Sequence, residues 1–177
     1  MALEIERKFL LRADAWREAT AGAERLVQGY VANTARCSVR IRVAGESAWL
    51  SLKGMQPGTT RHEFEYPVPV ADALHALGTM CEGPLLEKLR HRVPAGRHVF
   101  EVDEFLGASA GLVIAEVELG AEDEEFERPA WLGEEVTLEP RYYSFVLARA
   151  PFATWPEADR AAARAGRHLA SGAGPAP

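Results

Sequence analysis

Residues 3 to 9 read LEIERKF, and Glu4, Glu6 and Lys8 stand two residues apart in a run that is otherwise strand-like. In an extended strand successive side chains point to opposite faces, so these three charges share one side while Leu3, Ile5, Arg7 and Phe9 share the other. At a spacing of roughly 6.5 to 7 Å, two carboxylates and an ammonium are either a solvated surface or a face turned toward something charged. The pairing recurs along the chain: Arg40 with Arg42, Glu63 with Glu65 after Arg61, Lys88 with Arg90, and Glu116 with Glu118. Basic pairs are donors for an anion, and carboxylate pairs are oxygen ligands for a hard cation. In isolation each pair reads as a solvated strand face; together they ask for a common explanation.

The elements that carry these residues alternate with a period of two. Clean alternation runs through residues 3–9, 37–43, 48–53, 61–66 and 113–119, with less regular strands at 26–32, 85–93, 97–106 and 134–138. Helical patterns are fewer, at 70–77, where Gly78 supplies a stop, at 141–149 and at 157–169. This is an α+β chain, mostly β, with an antiparallel sheet or barrel and helices set apart. A charged face on nearly every strand points to faces that converge. An eight-stranded barrel has an interior just wide enough for side chains or one small ligand, so the charged faces would line a tunnel and the apolar faces would be covered by helices. Residues 1–169 read as one domain, with a disordered Pro/Gly-rich tail at 170–177.

Composition narrows the function classes. The 177 residues are 47 % hydrophobic and 26 % charged, ordinary for a globular chain. A net charge of −6 argues against nucleic-acid binding through a basic surface. No apolar run reaches the roughly 20 residues of a membrane helix, and the N-terminus lacks the pattern of a signal segment, so the cytoplasm is the expected compartment. Cys37 and Cys81 form no disulfide framework or zinc pattern, and the five histidines are scattered.

The ordered set Glu4-x-Glu6-x-Lys8, Arg40-x-Arg42, Lys53, Arg61-x-Glu63-x-Glu65, Lys88-x-Arg90, Asp103 and Glu116-x-Glu118 resembles the CYTH group of triphosphate tunnel metalloenzymes. The resemblance covers most of residues 3–150, including QGYV, LSLKG, GLVIAEVEL and PAWLGEEVT. It implies an eight-stranded antiparallel tunnel, a divalent cation (Mg²⁺ or Mn²⁺) and chemistry at a triphosphate. By that resemblance Lys8, Arg40, Arg42, Lys53, Arg61, Lys88 and Arg90 form the substrate clamp. Glu6, Glu116 and Glu118, with Glu4, hold metal; Glu4 and Glu63, with Lys8, serve the catalytic step by placing a second ion and its water; Glu65 and Asp103 orient basic residues. Guanidinium forks suit phosphate oxygens, and carboxylates beside phosphate make sense as ligands of a bridging cation.

The first expectation is therefore an inorganic triphosphatase, cleaving tripolyphosphate to pyrophosphate and phosphate. An adenylate cyclase of the class IV type or a thiamine triphosphatase would use the same clamp. A noncatalytic polyphosphate or nucleotide binder would not need the acidic set. The oligomeric state stays open, a homodimer among the alternatives. Tyr30 and Trp49 are expected in the tunnel or the core. Glu122 to Glu125 read as a solvated helix start, Trp131-Leu132-Gly133 as a turn, and helix 157–169 as an exposed surface helix, with a tunnel plug as its alternative.

Overall fold

The computed structural model describes residues 3–20, 22–54 and 58–169. Nine strands occupy Leu3–Leu11 (β1), Ala23–Asn33 (β2), Cys37–Ala44 (β3), Ser47–Gly54 (β4), Thr60–Pro67 (β5), Leu86–Ala95 (β6), His98–Phe105 (β7), Val113–Glu118 (β8) and Leu132–Glu135 (β9). They form one sheet in the order β5-β4-β3-β2-β6-β7-β8-β1-β9, and a further pairing of β5 with β1 closes an eight-stranded antiparallel barrel. β1 is the closing strand and changes partner along its length. Its Leu3–Ile5 portion pairs with β5, Glu6–Leu10 pairs with β8, and Phe9 and Leu11 meet β9.

Alternation sets which face each residue takes, and the apolar faces point outward as expected from the sequence. Phe9, Val93, Phe100, Val102, Ala115 and Val117 pack outside the barrel beneath Trp16 and Trp131. On the opposite flank Ile41 and Ala48 pack against Ala73 and Leu77 of α1 (Val70–Thr79). A third cluster gathers Leu10, Leu86, Phe105 and Ile114 with Tyr142, Leu147, Phe152 and Trp155. Leu10 and Ile114 share strand faces with Lys8 and Glu116, so the inner face turns apolar there and is closed by the chain after β9. That closing segment contains α2 (Ser144–Arg149) and α3 (Glu157–Arg164).

Several local expectations are corrected. The acidic run at 122–125 is not helical. Glu124 instead turns back to accept the Gly120 N–H at 2.6 Å and meets His98 Nε2 at 2.9 Å, so its carboxylate organises a loop. β9 begins at Leu132, two residues before the expected strand, and takes in Leu132 and Gly133 of the expected turn. Gly133 is required there because a Cβ would come 2.4 Å from the Gly166 carbonyl oxygen. The last helix stops at Arg164 and is docked rather than exposed, burying Asp159, Ala162 and Ala163, with Asp159 2.9 Å from Arg141. A 3₁₀ segment at Ala15–Ala19, which inserts fully buried Trp16, was not anticipated. The expected tail at 170–177 lies outside the described residues. Among the described residues no helix is long and apolar enough to cross a membrane.

Candidate active site

Inside the barrel lies a cavity of about 480 Å³ lined by Glu4, Glu6, Lys8, Arg40, Arg42, Lys53, Arg61, Glu63, Glu65, Lys88, Arg90, Glu116 and Glu118. The sequence-derived set is thus brought together almost whole. Asp103 stands one layer back, 1 % exposed, where it accepts from Arg90 Nε and NH2 at 2.7 Å each and from Lys88. Register makes this convergence: Glu4 lies opposite Arg61, Lys8 opposite Glu116, Lys53 opposite Glu63, and Arg90 opposite Asp103. Opposite charges on neighbouring strands attract across a sheet, so the lining charges also help to fix the strand pairing.

On β3 to β5, Lys53 Nζ lies 3.0 Å from Glu4 and 3.0 Å from Glu63. Arg61 spans Glu4 at 2.6 Å and Glu6 at 2.7 Å. Glu65 accepts from Arg42 NH2 at 2.9 Å and from the Ser51 hydroxyl at 2.7 Å. The Nε atoms of Arg40 and Arg42 are buried with no hydrogen-bond partner among the described residues. On the other side Lys8 is held between Glu6, at 2.5 Å, and Glu116. Its backbone is clamped from outside, with its N–H on the Thr137 hydroxyl at 3.0 Å and its carbonyl on the Val136 N–H at 2.8 Å.

These neighbours shift the titrating groups. Burial opposes ionisation of Glu116, yet Lys8, Lys88 and Arg90 outweigh it and hold the carboxyl well below the usual range. Glu4 is likewise lowered, because Lys53 and Arg61 overcome its burial. Glu63 moves the other way, raised by burial and by its contact with Glu4 despite Lys53. Lys88, buried beside Arg90, falls to about 8 even with Asp103 as partner.

Glu118 differs from the other lining acids. It sits opposite Glu6 across β1 and β8 and forms no ion pair among the described residues. Burial and the nearby carboxylates of Glu4, Glu101 and Glu6 push its carboxyl up. An all-oxygen donor set with uncompensated negative charge is what a hard divalent cation takes. The residues therefore fit such an ion in kind. They are not gathered around one, since among the described residues no three His, Cys, Asp or Glu groups converge as a cluster. Lys8 and Arg61 lie between the carboxylates instead.

The cavity has lining residues that the sequence reading did not single out. Glu101 lies opposite Glu116 and contacts Arg90; its signal was present two residues before Asp103 on the same strand face. Tyr30, left between tunnel and core, lines the cavity, whereas Trp49 lies 5.0 Å below the Arg42 guanidinium. Tyr143, Ser144 and Phe145 wall one end. The stopper is thus α2 and the residue before it; no residue of the 157–169 segment lines the cavity.

A closed antiparallel barrel whose lumen carries paired acids and bases defines a charged-tunnel protein. The CYTH domain model matches residues 2–145, and the chain belongs to the CYTH domain family. It is 41 % identical over 157 residues to the inorganic triphosphatase of Acetivibrio thermocellus, covering 89 % of this chain and all of that protein. It is 36 % identical over 150 residues to the inorganic triphosphatase of Nitrosomonas europaea, covering 82 % of this chain and 96 % of that one. The crystal structure of an inorganic triphosphatase superposes with a TM-score of 0.58 at 33 % identity, over 84 % of this chain and 95 % of the other.

Proposed function

We propose that the protein is an inorganic triphosphatase, a divalent-metal-dependent hydrolase that cleaves tripolyphosphate to pyrophosphate and phosphate. The observation that carries this reading is the charged tunnel, in which, among the described residues, Arg40 and Arg42 keep buried, unpartnered Nε donors and Glu118 keeps an uncompensated carboxylate. The named activity of relatives matched over most of their length agrees with it. Residues 1–169 would act as one unit, in the cytoplasm, without nucleic acid or membrane as partner.

In this reading Arg40, Arg42 and Lys53 bind phosphate oxygens, joined by Lys8, Arg61, Lys88 and Arg90. Glu6, Glu116 and Glu118, with Glu4, would hold Mg²⁺ or Mn²⁺. When bound, such an ion would supply charge neutralisation and lower the pKa of a water beside it. Glu63, whose carboxyl is raised beside Glu4, is suited to take a proton from the attacking water. Glu65 and Asp103 orient the arginines, through Arg42 and Arg90 respectively. The barrel wall and the α2 stopper keep bulk water from the reacting end, where the charges then act at lower dielectric.

The test is a panel of tripolyphosphate, ATP and thiamine triphosphate, each with Mg²⁺, Mn²⁺ or chelator, with phosphate and cyclic nucleotide both measured. Metal-dependent phosphate release from tripolyphosphate above the other substrates is expected. Full activity in excess chelator, or cyclic nucleotide as the main product from ATP, would refute the reading. Glu4→Gln, nearly isosteric, should lower kcat at least 100-fold with little rise in KM, as for an interaction needed mainly in the transition state.

A further inference from the structure

Around Lys8 and Arg61 the tunnel neutralises itself. Lys8 is shared by Glu6 and Glu116, and Arg61 is shared by Glu4 and Glu6, so the ammonium and the guanidinium that would meet phosphate already have carboxylate partners. Lys8 is only 6 % exposed, so water screens these pairs weakly. An anion that takes Lys8 or Arg61 must therefore compete with Glu4, Glu6 and Glu116, and a cation that takes those three carboxylates must compete with the ammonium and the guanidinium. Each ligand alone leaves buried charge without a partner, which is costly. Both together replace every broken pair, because carboxylate oxygens move to the cation while the freed bases move to phosphate. Glu118 stands outside this exchange, since it lies opposite Glu6 and pairs with no base among the described residues.

We infer that Lys8 and Arg61 act as exchangeable counter-ions, so that a divalent cation and triphosphate bind this tunnel with strong positive coupling and each binds weakly alone. The inference rests on the triphosphatase reading and adds to it a coupling free energy between the two ligands. Glu6 is the centre of the exchange because it holds both bases. Coupling of this kind is reciprocal: the factor by which the cation tightens triphosphate equals the factor by which triphosphate tightens the cation. It also gives the tunnel discrimination by charge balance. A monovalent or bulky organic anion that brings no bridging cation leaves the carboxylates stranded when it takes their bases.

The experiment is calorimetric titration of the non-hydrolysable imido analogue of tripolyphosphate into the full chain, in excess EDTA and in excess Mg²⁺, with Mg²⁺ alone as a third titration. In the wild type the analogue should bind at least 30-fold more tightly with Mg²⁺ than with EDTA, and Mg²⁺ alone should bind weakly. Glu6→Gln, which removes one of the two carboxylates on each base and leaves Glu116 on Lys8 and Glu4 on Arg61, should raise affinity in EDTA about tenfold and reduce the Mg²⁺ effect to under threefold. Glu118→Gln releases no base, so it should leave affinity in EDTA within about threefold while also weakening the Mg²⁺ effect. That contrast separates counter-ion exchange from a general loss of negative charge. Equal affinity in EDTA and Mg²⁺ for the wild type, or the same rise in EDTA for both variants, would overturn the proposal and leave the triphosphatase reading intact. No binding of the analogue under either condition would overturn both.

Discussion

Arg42 on β3 and Arg90 on β6 face the same tunnel, but their surroundings differ. Arg90 places Nε and NH2 on Asp103, NH1 on Glu101 and NH2 again within 3.3 Å of Glu116, so all three nitrogens meet carboxylate. Among the described residues Arg42 meets only the Glu65 carboxylate, through NH2, and its Nε has no hydrogen-bond partner. The contrast extends to their strands. The β6–β7 side carries Lys88 and Asp103 almost wholly buried, 2 % and 1 % exposed, whereas Glu65 opposite Ser51 on β4 is open to solvent. Similar residue types thus do two jobs. Arg90 serves chiefly to hold the barrel and its carboxylates in place while it faces the ligand; Arg42 keeps more of its donor capacity for that ligand.

The widest separation between the walls should come from Asp103→Asn. It strands Lys88 in the interior and leaves Arg90 with Glu101 and Glu116 alone, and breaking a buried ion pair by removing one partner costs about 3–5 kcal/mol. Chemical denaturation should show a loss of that order; a loss below about 1 kcal/mol would mean that the two walls are alike. Next comes the Arg40→Ala, Arg42→Ala double variant. It should raise KM for tripolyphosphate at least tenfold while changing stability by no more than about 1 kcal/mol, as neither arginine is as fully engaged as Arg90. A double variant that fails to fold would place the structural burden on the wrong wall.

Acid should affect both walls in a definite direction. Glu116, Glu4 and Asp103 all have carboxyl groups held below their ordinary values, the opposing effect of burial being outweighed by Lys8, Lys53 and Lys88 with Arg61 and Arg90. Their contribution to stability is present above the unfolded-state carboxylate range near 4 and is lost as pH falls through the folded values, because the unfolded chain then binds more protons. Urea midpoints measured from pH 7 down to pH 3 should fall steadily below about pH 4.5, and Asp103→Asn should flatten that fall. A profile unaffected by this substitution would contradict the assignment.

The smallest effect is expected outside the barrel. Arg7 points away from the lumen, pairs with Glu135 and lies 5.7 Å from the Phe126 ring. Arg7→Gln should change kcat and KM by less than about threefold and stability by about 1 kcal/mol or less. Kinetic damage equal to that of Glu4→Gln would mean that the inward and outward faces of β1 have been exchanged.

The sequence made the inward faces legible because a period of two is local: Glu4, Glu6 and Lys8 declare a shared face without knowledge of any partner. It also implied Glu101, which has the same parity as Asp103. Division of labour between Arg42 and Arg90 was not legible, since it depends on which carboxylates lie across strands β4, β5, β7 and β8. The stopper was hidden for a related reason. SFVLAR is an ordinary helical run, and only long-range packing of Leu147 with Leu10 and Phe105 puts its first turn into the tunnel. The acidic run at 122–125 misled because composition favours a helix start, whereas Glu124 is committed to the Gly120 N–H and His98.

The partner change along β1 bears on how the molecule forms. The most N-terminal of the described strands carries Glu4, Glu6 and Lys8, yet Glu4 finds Arg61 across 57 residues and Lys8 finds Glu116 across 108. Loop closure over such distances comes before its contacts repay it, so chains dominated by such pairings fold slowly. Docking of β1 between β5 and β8 completes the barrel and assembles both charged walls in the same event. A chain arrested before that step has open sheet edges at β5 and β8, which are prone to pairing with other chains, and has no tunnel in which to bind triphosphate. Cation and triphosphate together can therefore select only the closed molecule, and refolding in their presence should give a higher yield rather than merely a higher melting temperature.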